Sequence, residues 1–97
     1  MTSKERAYLR GLANKIDPIF SVGKSSITPE FTQAIDDALE ARELIKINVL
    51  KNCMDDPREI GEILAERTHS VVVQVIGKKI TLYKESKNNP KIAINKK

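Results

Sequence analysis

The segment Ser70-Val71-Val72-Val73-Gln74-Val75-Ile76 and its continuation Gly77-Lys78-Lys79-Ile80-Thr81-Leu82-Tyr83 restrict this chain more than any other stretch. β-Branched side chains are stiff at χ1 and pack well on a pleated surface, so both runs read as strands. Gly77 and Lys78 between them predict a tight turn, and such a turn forces the two strands to be antiparallel. Whatever else the chain builds must accommodate a hairpin at its C-terminal side.

Upstream, helix and strand signals alternate. Thr2 and Glu5 have the spacing of a capping box, and Leu9, Leu12, Ala13 and Ile16 follow at helical intervals, which predicts a helix from Ser3 to Lys15. Asp17-Pro18 ends it, because the residue before proline is pushed toward extended geometry, and Ile19–Val22 reads as a short strand. Thr28 and Pro29 supply an N-cap and a first helical residue. Phe31, Ala34, Ile35, Ala38 and Leu39 then line one face of a helix from Pro29 to Arg42. Leu44–Leu50 alternates, with Ile45, Ile47 and Val49 on one side and Lys46 and Asn48 on the other, as a half-buried strand does. Asp56-Pro57-Arg58-Glu59 repeats a helix start, and Ile60, Ile63 and Leu64 carry that helix to about Arg67. The order is α-β-α-β-α-β-β. It predicts a mixed four-stranded sheet in a two-layer α/β sandwich, with the second and third helices on the apolar face and the first helix not firmly placed. The domain is expected to span 1–85, with 86–97 as a basic, mobile tail.

Ninety-seven residues suffice for one modest core. No apolar run approaches the roughly 20 residues that cross a bilayer, and the N-terminus has no apolar stretch behind a positive region, so a cytoplasmic protein is expected. Cys53 is the only cysteine and His69 the only histidine, so a disulfide is ruled out and a Cys-based metal site is not expected. No paired carboxylates, nucleotide-binding glycine pattern or metal-ligand spacing appears, which points away from an enzyme and from a cofactor.

The net charge of +4 conceals a segregation. Residues 1–29 hold five Lys/Arg against two Asp/Glu, residues 30–66 four against ten, and residues 67–97 eight against one. Such a chain tends to fold with a basic and an acidic side, and the basic side suits a polyanion. On the first helix Arg6 and Arg10 share one flank, with Lys4 and Lys15 on the other. Val22-Gly23-Lys24-Ser25-Ser26-Ile27-Thr28-Pro29 places one lysine and a small-residue loop at a helix N-terminus, where backbone N–H groups and the helix dipole favour an anion such as phosphate.

Thr2-Ser3-Lys4-Glu5-Arg6-Ala7-Tyr8-Leu9-Arg10-Gly11-Leu12-Ala13, then Asp17-Pro18-Ile19-Phe20, then Val22-Gly23-Lys24 resemble the start of bacterial YhbY-like proteins. These are stand-alone members of the CRM domain family, named for chloroplast RNA splicing and ribosome maturation. The likeness continues through the acidic second helix, the Leu44-Ile45-Lys46-Ile47 strand and the Val-rich hairpin. It implies a fold similar to the C-terminal domain of translation initiation factor three, RNA binding, and a role in maturation of the large ribosomal subunit. The family's loop has a G-x-x-G form, commonly Gly-Lys-Gly-Gly. Gly23 and Lys24 match it, whereas Ser25 and Ser26 stand where the two glycines would be and offer hydroxyl donors instead of backbone freedom.

The expected RNA contacts are therefore Lys4, Arg6, Arg10, Lys15, Gly23, Lys24, Ser25 and Ser26, gripping structured ribosomal RNA mainly through its phosphates. With only two tyrosines and two phenylalanines in the chain, base stacking is expected to be minor. The rival reading is a module that docks on a ribosomal protein through the acidic helical face, Asp36, Asp37, Glu40, Glu59, Glu62 and Glu66.

Overall fold

A computed structural model describes residues 2–24 and 27–87. The elements follow the anticipated order: α1 (Ser3–Ala13), β1 (Phe20–Val22), α2 (Pro29–Arg42), β2 (Leu44–Val49), α3 (Pro57–Thr68), β3 (Val71–Ile76) and β4 (Lys79–Tyr83). The helix starts are set by their caps. The Thr2 and Glu5 side chains exchange bonds with each other's backbone N–H in a capping box, the Thr28 hydroxyl accepts from the Phe31 N–H at 3.0 Å, and Asp56 accepts from the Arg58 N–H at 3.2 Å. His69 ends α3 in the left-handed region at φ 58°, and Gly77 takes the positive φ of 59° that the hairpin turn asks of it.

The sheet is mixed, in the order β1-β2-β4-β3. β1 runs parallel to β2, pairing Phe20 with Ile47 and Val22 with Val49. β4 is antiparallel to both of its neighbours, pairing Leu82 with Ile45 on one side and with Val72 on the other. The last strand among the described residues is thus inserted between β2 and β3, and its residues from Ile80 to Tyr83 are all buried.

One face of the sheet packs against α2 and α3. Ile45, Ile47 and Val49 of β2 and Ile80 and Leu82 of β4 meet Ile35 and Leu39 of α2 and Ile60, Leu64 and Ala65 of α3. Cys53, a free thiol, is buried in the same cluster. This is the anticipated helical layer. α1, which the sequence does not place, covers part of the opposite face: Leu9 and Ala13, with Leu12 and Ile16, pack on Leu44, Val73 and Tyr83. Those strand residues lie toward the end of the sheet where β2 begins and β4 finishes, because Leu44 pairs with Tyr83 and Tyr83 with Val71. Among the described residues no helix covers the remainder of that face.

The segment after β4 does not leave the body at once. The Lys84 N–H donates to the Glu43 carbonyl, the Ser86 N–H donates to Glu43 Oε2 at 2.7 Å, and the Ser86 hydroxyl donates to Glu40 Oε2 at 2.7 Å. Lys84 Nζ also pairs with Asp36 at 3.1 Å. The expected tail from residue 86 therefore begins with two residues bonded to α2, and the expectation for 88–97 lies outside the described residues.

Candidate nucleic-acid interface

Alternation along the strands decides what the uncovered part of the sheet displays. With Ile45, Ile47 and Val49 facing α2 and α3, Lys46 and Asn48 face the other way, and their partners Thr81 and Lys79 on β4 do the same. Ser21, paired with Asn48, and Gln74, paired with Thr81, extend this surface to β1 and β3. Of these six strand residues Thr81 is buried, and the other five include two lysines and no carboxylate.

α1 borders this surface at one end. Arg6 and Arg10 lie one turn apart, and Arg6 reaches forward to β3, where Nη1 donates to the carbonyls of Val72 at 2.6 Å and Val73 at 2.9 Å. These carbonyls sit at the β-bulge between Val72 and Gln74. Part of the Arg6 guanidinium thus holds the bulge against α1, whereas Arg10 is exposed on the same flank. Lys4 and Lys15 are exposed on the other flank. At the other side of α1, burial first, then the carboxylates Glu43, Glu85 and Glu5, push the Tyr83 phenol above its ordinary pKa of 10.0.

The Gly23 loop borders the surface at the other end. Its entry and exit are braced by Phe20 of β1 against Phe31 of α2, edge to face with centroids 5.8 Å apart. Lys24 is exposed, and Ser25 and Ser26 lie outside the described residues. A side chain added at Gly23 would come within 3.5 Å of Asn52 Oδ1 and 3.6 Å of Leu50 Cδ1, so the β2–α3 connection lies directly alongside. The Leu50 N–H donates to the Val22 carbonyl, and the Val49 N–H donates to the Lys78 carbonyl at 2.7 Å. Three connections therefore meet at this end: the one after β1, the one after β2 and the β3–β4 hairpin. They bring together the exposed lysines Lys24, Lys51, Lys78 and Lys79.

Sequence reasoning named Lys24 from this group but not Lys51, Lys78 or Lys79, nor Lys46 on the sheet itself. The lysines were visible as residues, but their convergence depends on β4 lying beside β2, which no local pattern reports. Among the described residues no group of three or more His, Cys, Asp or Glu side chains is placed to hold a metal ion, and no helix is long and apolar enough to cross a membrane.

Residues 1–84 match the family described as the CRS1 / YhbY (CRM) domain. The chain is 45% identical to the Bacillus subtilis protein named "Probable RNA-binding protein YqeI", over 97% of this chain and 98% of the relative. It is 29% identical to a Haemophilus influenzae protein named "RNA-binding protein", over 89% of this chain and 87% of the relative. The solution structure of SAV1595 from Staphylococcus aureus, whose description proposes RNA binding, superposes with a TM-score of 0.77 at 53% identity, covering 92% of this chain and 93% of that one. With its family match running from the N-terminus through β4, and with the fold shared by a relative of half-identical sequence, this chain belongs to the CRS1/YhbY (CRM) domain family.

Proposed function

We propose that the protein binds structured ribosomal RNA through phosphate contacts and acts, without catalysing a reaction, in assembly of the large ribosomal subunit in the cytoplasm. The observation that carries this reading is the cation-bearing surface between Arg10 of α1 and Lys24 of the Gly23 loop, whose intervening strand residues include no carboxylate. A surface of this kind attracts a polyanion by releasing its counterions, whatever the sequence of that polyanion. The names of the relatives support RNA as the polyanion, and the family resemblance supports the ribosomal setting. Arg10, Gly23 and Lys24 form the centre of the proposed contact, Ser25 and Ser26 belong to its loop, Arg6 braces α1 against β3 beside it, and Lys4 and Lys15 flank it on α1.

In the rival reading, a ribosomal protein docked on the acidic helical face, two of the six acids already have partners within the chain: Asp36 pairs with Lys84, and Glu40 receives bonds from Ser86 and Lys87. Binding to a large-subunit ribosomal RNA fragment tests the proposal. Affinity is expected to fall with salt, with log K against log salt sloping by about −0.7 to −0.9 for each phosphate neutralised. Arg10→Ala and Lys24→Ala should each weaken binding at low salt and flatten that slope by about one contact. Unchanged affinity in both variants would refute the assignment of the site.

A further inference from the structure

We infer that the outward face of α1 holds an unpaired nucleotide of the bound RNA, with its base stacked on the Tyr8 ring and its phosphates beside Lys4 and Lys15. This rests on the RNA-binding reading above and specifies the RNA element that it takes. The inference starts from the aromatic side chains, four in the whole chain. Phe20 and Phe31 pack on each other, and Tyr83 is buried against α1. Tyr8 is 50% exposed and packs in neither core cluster. The fold thus uses three rings and leaves the fourth in solvent, on the helix that carries Lys4 and Arg10.

Helical geometry fixes what surrounds that ring. Tyr8 follows Lys4 by four residues and Gly11 follows Tyr8 by three, so the three share one face of α1. Lys15, four residues after Gly11, comes just past the C-cap, and its N–H donates to the Leu12 carbonyl at 3.0 Å, which continues the winding. All four residues are exposed. Round the helix from this face to Arg10 stand Ala7 and Asn14, both exposed and neither charged. Glu5, the only acid of α1, lies beyond Tyr8 on the other side, where its carboxylate accepts from the Thr2 N–H at 3.0 Å. A polyanion that reaches Arg10 therefore meets no carboxylate of α1 on its way across to Lys4 and Lys15.

Gly11 is a second observation at the same place. Glycine weakens a helix, and nothing lies within 4 Å of the position its Cβ would take, so packing within the chain does not call for it. It stands about 4.5 Å along the axis from Tyr8, where a nucleotide stacked on the ring needs room for its ribose. Every base has a π-face, but only an unpaired base can lay it on a side chain, which selects loops, bulges and single-stranded ends over a continuous duplex. Few aromatics in the sequence argue against stacking in general, and the fold confines it to one ring set among cations.

Fluorescence anisotropy of the full-length protein with two labelled RNAs tests this: a duplex of about 16 base pairs, and the same duplex with a short single-stranded uridine extension. The extended RNA should bind more tightly. Tyr8→Ala should abolish that preference and weaken binding of the extended RNA about fivefold or more, the range for one base stacked on an aromatic ring. Tyr8→Phe should keep the preference, because the ring and not the hydroxyl carries it. Gly11→Ala should reduce the preference while raising the melting temperature, a combination that a purely structural role for this position does not produce. Both residues are exposed, so folding is not at stake. Equal affinity of the parent protein for the two RNAs, a preference that survives Tyr8→Ala, or an equal loss in Tyr8→Ala and Tyr8→Phe overturns the inference. Tyr8→Ala abolishing self-association in sedimentation, with the RNA preference intact, overturns it in favour of a protein contact. If the parent protein binds neither RNA, nor the ribosomal fragment, the RNA reading itself fails, an outcome distinct from the others.

Discussion

Arg6 shows how one side chain can be correct in chemistry and different in use. The helical projection places it beside Arg10 as a phosphate contact, but Nη1 donates to two backbone carbonyls at the β3 bulge. A bulge disrupts the ladder locally and leaves backbone groups in need of partners, and a planar guanidinium can serve two acceptors at once. Arg6→Ala should therefore destabilise the fold by about 1.5–3 kcal/mol, the range for hydrogen bonds to charged groups. This would be read as a lower urea midpoint with an unchanged m-value. Arg6→Lys should recover little of it, since both bonds come from Nη1 and a lysine Nζ ends one bond short of that atom. Arg10→Ala, on the exposed part of the same flank, should change stability by less than about 0.5 kcal/mol. Equal stability losses for the two arginines would contradict the bracing role.

At the scale of the elements, two helical glycines with the same local cost have opposite structural meanings. Glycine in a helix interior costs roughly 0.5–1 kcal/mol relative to alanine. Gly11 of α1 has nothing within 4 Å of a built Cβ, so Gly11→Ala should raise stability by that amount. Gly61 of α3 is buried, and its Cβ would lie 3.1 Å from Ile80 Cγ2 and 3.7 Å from a Val72 methyl. Glycine here lets α3 approach β4 and β3 closely, and Gly61→Ala should give no gain, because the crowding offsets the propensity term. A larger residue such as Gly61→Val should lose about 1–3 kcal/mol through overpacking. Thermal melts of the three variants decide the matter: a gain from Gly61→Ala equal to that from Gly11→Ala would show that α3 sits further from the sheet.

For the whole molecule, the question is how far the folded unit extends. The family match stops at residue 84, while the hydrogen bonds continue to Lys87. Glu43 is fully buried with φ at 67°, and its carboxylate receives the Ser86 N–H. The body of the protein therefore includes a short strap from Lys84 to Lys87 along the end of α2. In urea titration a chain ending after Lys84 should be about 1–3 kcal/mol less stable than one ending after Lys87, because a buried carboxylate is left with one donor fewer. If both truncations behave alike, the strap makes no contribution.

Short-range physics makes the helix starts, the buried strand face and the turn legible from the residues alone. Thr2 with Glu5, Thr28 with Pro29, and Asp56 with Pro57 each set a helix start. Ile45, Ile47 and Val49 set which face of β2 is buried, and Gly77 set the hairpin. Each is a relation among residues a few positions apart, where capping, periodicity and turn geometry act. The position of β4 between β2 and β3, and that of α1 over one end of the sheet's second face, emerge only in the packed fold. Strand order is chosen by which apolar surfaces fit together across the whole chain, and a local pattern cannot encode it. On that choice depends the surface itself, because placing β4 next to β2 is what carries Lys78 and Lys79 to the Gly23 loop.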